Sequence, residues 1–269
     1  MTASITVTMN QSSLKSIDSY HWKNVRLIAT DMDGTLTQAE KFDSKLFETL
    51  TKLEKAGINV LITTGRSAGW VQAVATYLPV VGAIAENGGL IYWNHDPQPN
   101  LISLGNIEQH RQQLYRVFQI LKTKFPHLRE SSDNRFRITD WTFDVENLSP
   151  TELERIDRVC QDEGYGFTYS TIQCHIKPTY QDKAYGLKQV VPQYFPDLKS
   201  EEMVTVGDSP NDESMFNQVK FPLSVGVANV VKYRDRLEYL PAYVTSKSEG
   251  EGFCELAKLI INRRRDLDR

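Results

Sequence analysis

Two aspartates one residue apart, Asp31 and Asp33, stand at the end of an apolar run (Val25, Leu27, Ile28, Ala29) and lead into Gly34-Thr35. Side chains at i and i+2 of an extended chain point to the same side, so both carboxylates can converge on one reacting atom. Bare carboxylates that close repel, and one takes up a proton unless a cation sits between them. Gly34 permits a backbone turn that other residues resist. A strand ending this way puts negative charge at the carboxyl edge of a sheet, where open α/β sheets bind ligands. An Asp-Gly turn after a strand is common by itself. The motifs downstream of Gly34 set this one apart.

The elements that must position this charge can be read in order. Asp43 or Ser44 can cap a helix to about Lys55, with Leu46, Leu50 and Leu53 on one face, and Gly57 stops it. Ile58 to Thr63 is an apolar run of buried parallel-strand type, ending in Thr63-Thr64-Gly65-Arg66. Next come a helix over Ser67 to Leu78 and a strand over Val80 to Ala85, the latter ending at Glu86-Asn87-Gly88-Gly89. From Lys183 the pattern resumes: a helix over Ala184 to Tyr194, then a strand over Met203 to Val206 ending in Gly207-Asp208-Ser209-Pro210-Asn211-Asp212. Short strands over Phe221 to Val227 and Tyr243 to Thr245 and a closing helix over Gly252 to Arg264 complete it. Strands and helices alternating with short joins predict an α/β fold with a parallel sheet and right-handed crossovers. Asp31/Asp33, Thr64, Lys183 and Asp208/Asp212 then share one sheet edge.

Between these halves the rhythm changes. Leu90 to Trp93 and Leu101 to Leu104 fit a hairpin around the turn-rich NHDPQPN, and Ile107 to Phe125 has long amphipathic spacing. Arg135 to Val145 and Phe167 to Ile176 read as strands, and Thr151 to Glu163 as a helix. This block predicts a small α+β domain inserted over residues 90–178, the first domain taking residues 25–89 and 179–269. Residues 1–24 read as a polar, poorly ordered leader. Trp93 and Trp141 are assigned to the insert's core. Arg135 and Arg137 would share one strand face, and His175 and Lys177 another.

The chain has 269 residues and a net charge of −3, which gives no electrostatic case for nucleic acid. No apolar stretch reaches the span of a membrane helix. Cys160, Cys174 and Cys254 are odd in number with no paired spacing, which fits a reducing, cytoplasmic setting rather than a disulfide frame or zinc site. Arg263-Arg264-Arg265 beside Asp266 and Asp268 fits a solvated helix end.

DMDGTLT, ITTGR, the lysine of DKAYGL and GDSPNDESMF, in this order, resemble the four motifs of the haloacid dehalogenase superfamily. The AENGG turn and the placement of the insert resemble its Cof-type branch, subfamily IIB. That branch includes sucrose-phosphate and mannosyl-3-phosphoglycerate phosphatases and phosphomannomutase. The resemblance spans Val25 to Phe253. It implies a Rossmann-like core with a cap of the C2B type, and a Mg²⁺-dependent phosphatase for a small phosphorylated metabolite such as a sugar phosphate. It further implies that Asp31 attacks phosphorus, forming an aspartyl-phosphate, and that Asp33 serves as acid and then base. Asp31, the backbone carbonyl of Asp33, and Asp208 would hold Mg²⁺, with Asp212 a direct ligand or a partner behind. Thr64, or Thr63 if the register shifts by one, would donate to phosphate, and Lys183 would hold nucleophile and phosphate together. Arg66 would face the substrate or pair with a nearby carboxylate. Asn87, Ser209, Asn211, Arg137, His175 and Lys177 are the remaining candidate substrate contacts. A phosphomutase and a non-catalytic phosphometabolite-binding regulator are the alternatives.

Overall fold

The computed structural model describes residues 14–94, 96–101 and 105–265. The chain begins with β1 (Lys15–Ser16) and β2 (Leu27–Thr30), the latter buried throughout. Helix α1 (Ser44–Lys55) starts where the Asp43 carboxylate accepts the Leu46 N–H at 2.8 Å, and buries Leu46, Leu50 and Leu53. Then come β3 (Asn59–Thr63), α2 (Ala68–Tyr77), β4 (Gly82–Ala85), β5 (Leu90–Trp93) and β6 (Asp96–Leu101). The insert contributes α3 (Ile107–Lys124), β7 (Trp141–Asp144), α4 (Pro150–Asp162), β8 (Gly166–Tyr169) and β9 (Gln173–Lys177). Helix α5 (Lys183–Tyr194), β10 (Met203–Gly207), β11 (Leu223–Gly226), β12 (Tyr243–Val244) and α6 (Glu249–Arg265) finish the core.

These strands form a nine-stranded sheet in the order β1-β12-β11-β10-β2-β3-β4-β5-β6. It is parallel from β1 to β4, and β5 and β6 close it antiparallel. After β2 the chain winds outward through β3 and β4, and later returns to the other side of β2 through β10 and β11. That reversal opens a crevice between the carboxyl ends of β2 and β10, where such sheets hold ligands. Ile28, Val60 and Ile62 pack on α1, α2 and α6, while Leu27, Ala29 and Leu61 face α5. Burial on both faces explains why these strands read as unbroken apolar runs.

The smaller sheet has the antiparallel order β7-β9-β8, with α3 and α4 on one face. Leu114, Phe118, Leu121, Ile156, Phe143, Cys174 and Ile176 form its own core. Alternation along β9 leaves Gln173, His175 and Lys177 on the opposite face.

Several expectations are corrected. Residues 15–24 are no loose leader: β1 pairs with β12, and Ile17 and Trp22 are buried, the Trp22 indole donating to the Ile17 carbonyl at 2.6 Å. The second hairpin strand runs over Asp96–Leu101, through residues expected to turn; positions 102–104 lie outside the described residues. Both hairpin strands extend the large sheet, so the cap begins near α3 rather than at residue 90. Trp93 accordingly packs with the core against Tyr194. Asn134–Phe136 is a 3-10 turn, so Arg135 and Arg137 do not share a strand face. Phe167 to Ile176 is two strands joined at Ser170–Ile172. Among the described residues no helix is long and apolar enough to cross a membrane.

Candidate active site

Asp31, Asp208 and Asp212 each offer an oxygen within 4.8 Å of the others, at the carboxyl ends of β2 and β10. Lys183, the first residue of α5, is fully buried among them. Its ammonium donates to Asp31 and, at 2.6 Å, to Asp212 Oδ1. Asp212 Oδ2 accepts the backbone N–H groups of Asp208 (2.8 Å) and Ser209 (3.0 Å), so Asp212 braces both the lysine and the turn. Gly34 has φ +80, and a Cβ there would lie 2.7 Å from Asp208 Oδ2. Only glycine admits that approach.

The charges do not balance internally. Three carboxylates and one ammonium leave a formal −2. Burial and the neighbouring Asp212 push the Asp31 carboxyl up to about 7 despite Lys183. Burial, Asp31 and Asp212 lift Asp208 well above the usual carboxylate range. Burial works against the Lys183 charge, but Asp212 and Asp31 overcome it and hold the ammonium ionised. An all-oxygen donor set with a residual −2 fits a hard divalent cation such as Mg²⁺. The Asp33 side chain stands apart from this cluster. It is held in a bidentate pair by Arg66, with Nε on Oδ2 at 2.8 Å and Nη2 on Oδ1 at 2.6 Å.

Asp31, Asp33, Thr64, Gly65, Arg66 and Asn211 line a cleft roofed by cap residues Ser170, Ile172, Gln173 and His175. Thr64 is the threonine in the cleft, while the Thr63 hydroxyl is buried away from it without a partner. Asn211 donates to Asn87 Oδ1 at 3.1 Å, which leaves the buried Asn87 Nδ2 a free donor. His175 Nδ1 pairs with Asp140 at 2.8 Å, and its far edge lies against Gly65, where an added Cβ would meet Cε1 at 2.9 Å.

Three expected contacts lie elsewhere. Arg137 spends its guanidinium on Asp133, Asp140, Gln173 and the Gly65 carbonyl. It ties cap to core and has no donor left for substrate. Lys177 is buried beside Gly166, off the cleft, and burial lowers its pKa. Ser209 turns its hydroxyl onto Asn211 Oδ1 at 2.8 Å and shapes the turn.

Other residues were missed because their partners are distant in sequence. Glu86 is buried at φ +52, and burial raises its pKa. Its carboxylate accepts the N–H groups of Ala68 (2.9 Å) and Ile138 (3.0 Å) and the Thr139 hydroxyl (2.8 Å). A charged residue closing the apolar strand VVGAIA was the available signal. Glu86→Gln turns an amide NH₂ toward these donors, so a loss of about 2–3 kcal/mol is expected by chemical denaturation. Thr35, Asp140 and Asn229 were also missed.

A family model for haloacid dehalogenase-like hydrolases matches residues 28–136 and 105–236. The phosphoglycolate phosphatase of Thermoplasma acidophilum is 26% identical over 236 residues, spanning 87% of this chain and 97% of its own. That of Sulfolobus acidocaldarius is 27% identical over 244 residues, spanning 88% and 97%. A solved Thermoplasma acidophilum protein superposes with TM-score 0.71 at 24% identity, covering 88% of this chain and 98% of its own. The C-terminal domain of C. albicans trehalose-6-phosphate phosphatase does so at 0.70 and 15% identity, covering 94% and 99%. Both structures share the fold. With the four motifs gathered on one sheet edge, and the family model spanning most of the chain, the protein belongs to the haloacid dehalogenase-like hydrolases, in their Cof-type branch.

Proposed function

We propose that the chain is a Mg²⁺-dependent phosphatase that hydrolyses a small phosphorylated metabolite through an aspartyl-phosphate on Asp31. One observation carries this most directly: a fully buried lysine neutralises a nucleophile candidate inside an acidic cluster whose charge remains unbalanced. A binding protein has no use for such an arrangement.

Asp31 attacks phosphorus as the ester bond to the leaving oxygen breaks, and Asp33 delivers the proton that oxygen takes up. Asp33 then accepts a proton from water as it attacks the aspartyl-phosphate, releasing phosphate and restoring Asp31. The Arg66 guanidinium engages both Asp33 oxygens, so substrate must loosen Arg66 before Asp33 can reach the leaving oxygen. Thr64 donates to a phosphoryl oxygen, and Lys183 keeps Asp31 and phosphate together. Asp31, the Asp33 carbonyl and Asp208 would hold Mg²⁺, with Asp212 behind. Bound there, the ion would offset charge gathering on the phosphoryl oxygens.

The turn Ser170–Ile172 roofs the cleft closely, which favours a small soluble leaving group over a macromolecule or membrane lipid. Phosphoglycolate, named for the relatives, and sugar phosphates are the two classes to try first. A cytoplasmic setting suits either. The test is phosphate release across phosphoglycolate, sugar phosphates and nucleotides with Mg²⁺. We expect hydrolysis of at least one small phosphate ester, reduced on the order of 100-fold or more by EDTA. Release that ignores EDTA, or isomer exchange with little free phosphate, would overturn the proposal; the second result would favour a phosphomutase.

A further inference from the structure

Asp208 is clamped by two side chains that the mechanism above does not use. Thr35 Oγ1 donates to its Oδ1 at 3.1 Å, and Asn229 Nδ2 donates to its Oδ2 at 2.9 Å. The same Asn229 amide donates to the Gly34 carbonyl at 3.0 Å, so it spans both the turn after Asp33 and the carboxylate on β10. Its orientation is fixed, because Asn229 Oδ1 accepts the Glu249 N–H at 2.9 Å.

The surrounding backbone is strained in a pattern that supports a built site. Glu249 has φ +54, and its side chain accepts the N–H of Ala39, itself at φ +47 and followed by Glu40 at φ +63. Gly250 N–H reaches the Thr37 carbonyl at 2.9 Å, and the Thr37 hydroxyl accepts the Gly34 N–H at 2.9 Å. Asn229, Gly34, Thr37 and Glu249–Gly250 thus close a ring of hydrogen bonds around one edge of the acidic cluster. Left-handed non-glycine residues persist only where such contacts over-determine them, and they gather at functional sites. A cavity of about 180 Å³, lined in part by Asp33, Asp208, Asn229 and Tyr233, opens on the same side and gives an ion a way in.

We propose that Asn229 is a positioning residue for the divalent cation. It fixes the Asp208 carboxylate and the Gly34 turn so that the oxygen cage exists before the ion arrives. A neutral amide suits this place. It supplies two donors to the cage without adding charge to a cluster already at −2, and it leaves lone pairs on Asp208 for metal. This inference rests on reading Asp208 as a metal-binding carboxylate.

The test uses the full chain stripped of metal and titrated with Mn²⁺ by calorimetry. Asn229→Ala should raise the Mn²⁺ dissociation constant about 10–100-fold, with Asn229→Ser, which keeps one donor, in between. Thr35→Val, which removes the other clamp, should weaken Mn²⁺ binding as well. In kinetics with p-nitrophenyl phosphate, the Mg²⁺ activation constant of Asn229→Ala should rise by the same factor while KM at saturating Mg²⁺ stays near wild type. A purely structural brace would instead lower the melting temperature in EDTA and leave Mn²⁺ affinity unchanged, and that result overturns the inference. Should Asn229→Ala not fold, Asn229→Ser and Thr35→Val decide it in the same titration. Failure of the wild-type chain to bind Mn²⁺ would overturn the metal assignment itself, a distinct outcome.

Discussion

Asp31→Asn is expected to abolish phosphate release, by on the order of 10⁴-fold or more, without loosening the fold. Loss of a covalent nucleophile removes the whole two-step route rather than one stabilising contact. Stability should respond in the opposite sense. Asp31, Asp208 and Asp212 repel one another in a buried site, and an amide at position 31 still accepts from Lys183 while removing one charge. The pH dependence has a definite sign. The folded-state Asp31 carboxyl sits at about 7 against an ordinary 3.8, so the folded chain binds this proton more tightly than the unfolded one. Its ionisation therefore destabilises the metal-free protein progressively between pH 3.8 and about 7 and by a constant amount above that, and the penalty is relieved as pH falls back through this window. Asp31→Asn should flatten that slope in EDTA, with Asp208 responsible for what remains. Thermal melts of both proteins from pH 5 to 8 check this. A variant that melts well below wild type at pH 8 would show that the repulsion has been misjudged.

Lys183→Met should be the most destabilising single change in the site. The methionine matches the length of the stem but leaves Asp31 and Asp212 facing each other uncompensated. Removing one partner of a fully buried pair costs about 3–5 kcal/mol, which for a chain this size lowers the melting temperature by roughly 6–20 °C. Turnover should fall on the order of 10²–10³-fold as well, since the fixed positive charge beside the phosphoryl oxygens is lost. Mg²⁺ should recover more stability in the variant than in wild type, because the cluster's formal charge goes from −2 to −3. The exposed i,i+4 pair Lys52–Glu48 provides the contrast: Lys52→Met should change stability by less than about 0.5 kcal/mol. Equal effects at positions 52 and 183 would refute the electrostatic picture.

Much of the core was legible because its signals are local. Buried parallel strands read as unbroken apolar runs, helix α1 declares its start through Asp43, and the acidic and threonine motifs follow strand ends directly while Lys183 opens α5. The misreadings share a physical cause, which is that tertiary partners decided the outcome. Asp96–Leu101 carries two prolines and no apolar alternation, yet it forms a strand because it lies at the sheet edge, where a missing N–H is tolerated. Trp22 sits in a polar segment, and its burial depends on Tyr20 and Tyr243 packing around it. Arg137 read as a candidate substrate contact, but Asp140, Asp133 and Gln173 close around it. Thr35 and Asn229 could not be found from spacing, since Thr35 meets Asp208 from 173 positions away and Asn229 bridges Asp208, 21 positions away, to Gly34, 195 positions away. The cleft side of the cap sheet was half legible: alternation correctly turned His175 away from the cap's own core, but gave no hint that Lys177 would end beside Gly166.

The most direct single measurement is rapid acid quench of the Mg²⁺-loaded chain during turnover of radiolabelled p-nitrophenyl phosphate, with peptide mapping of the quenched protein. An aspartyl-phosphate route gives protein-bound label that hydroxylamine releases, confined to the peptide carrying Asp31 and absent from Asp31→Asn. Steady phosphate release with no label on the protein, or label on any other residue, would contradict it.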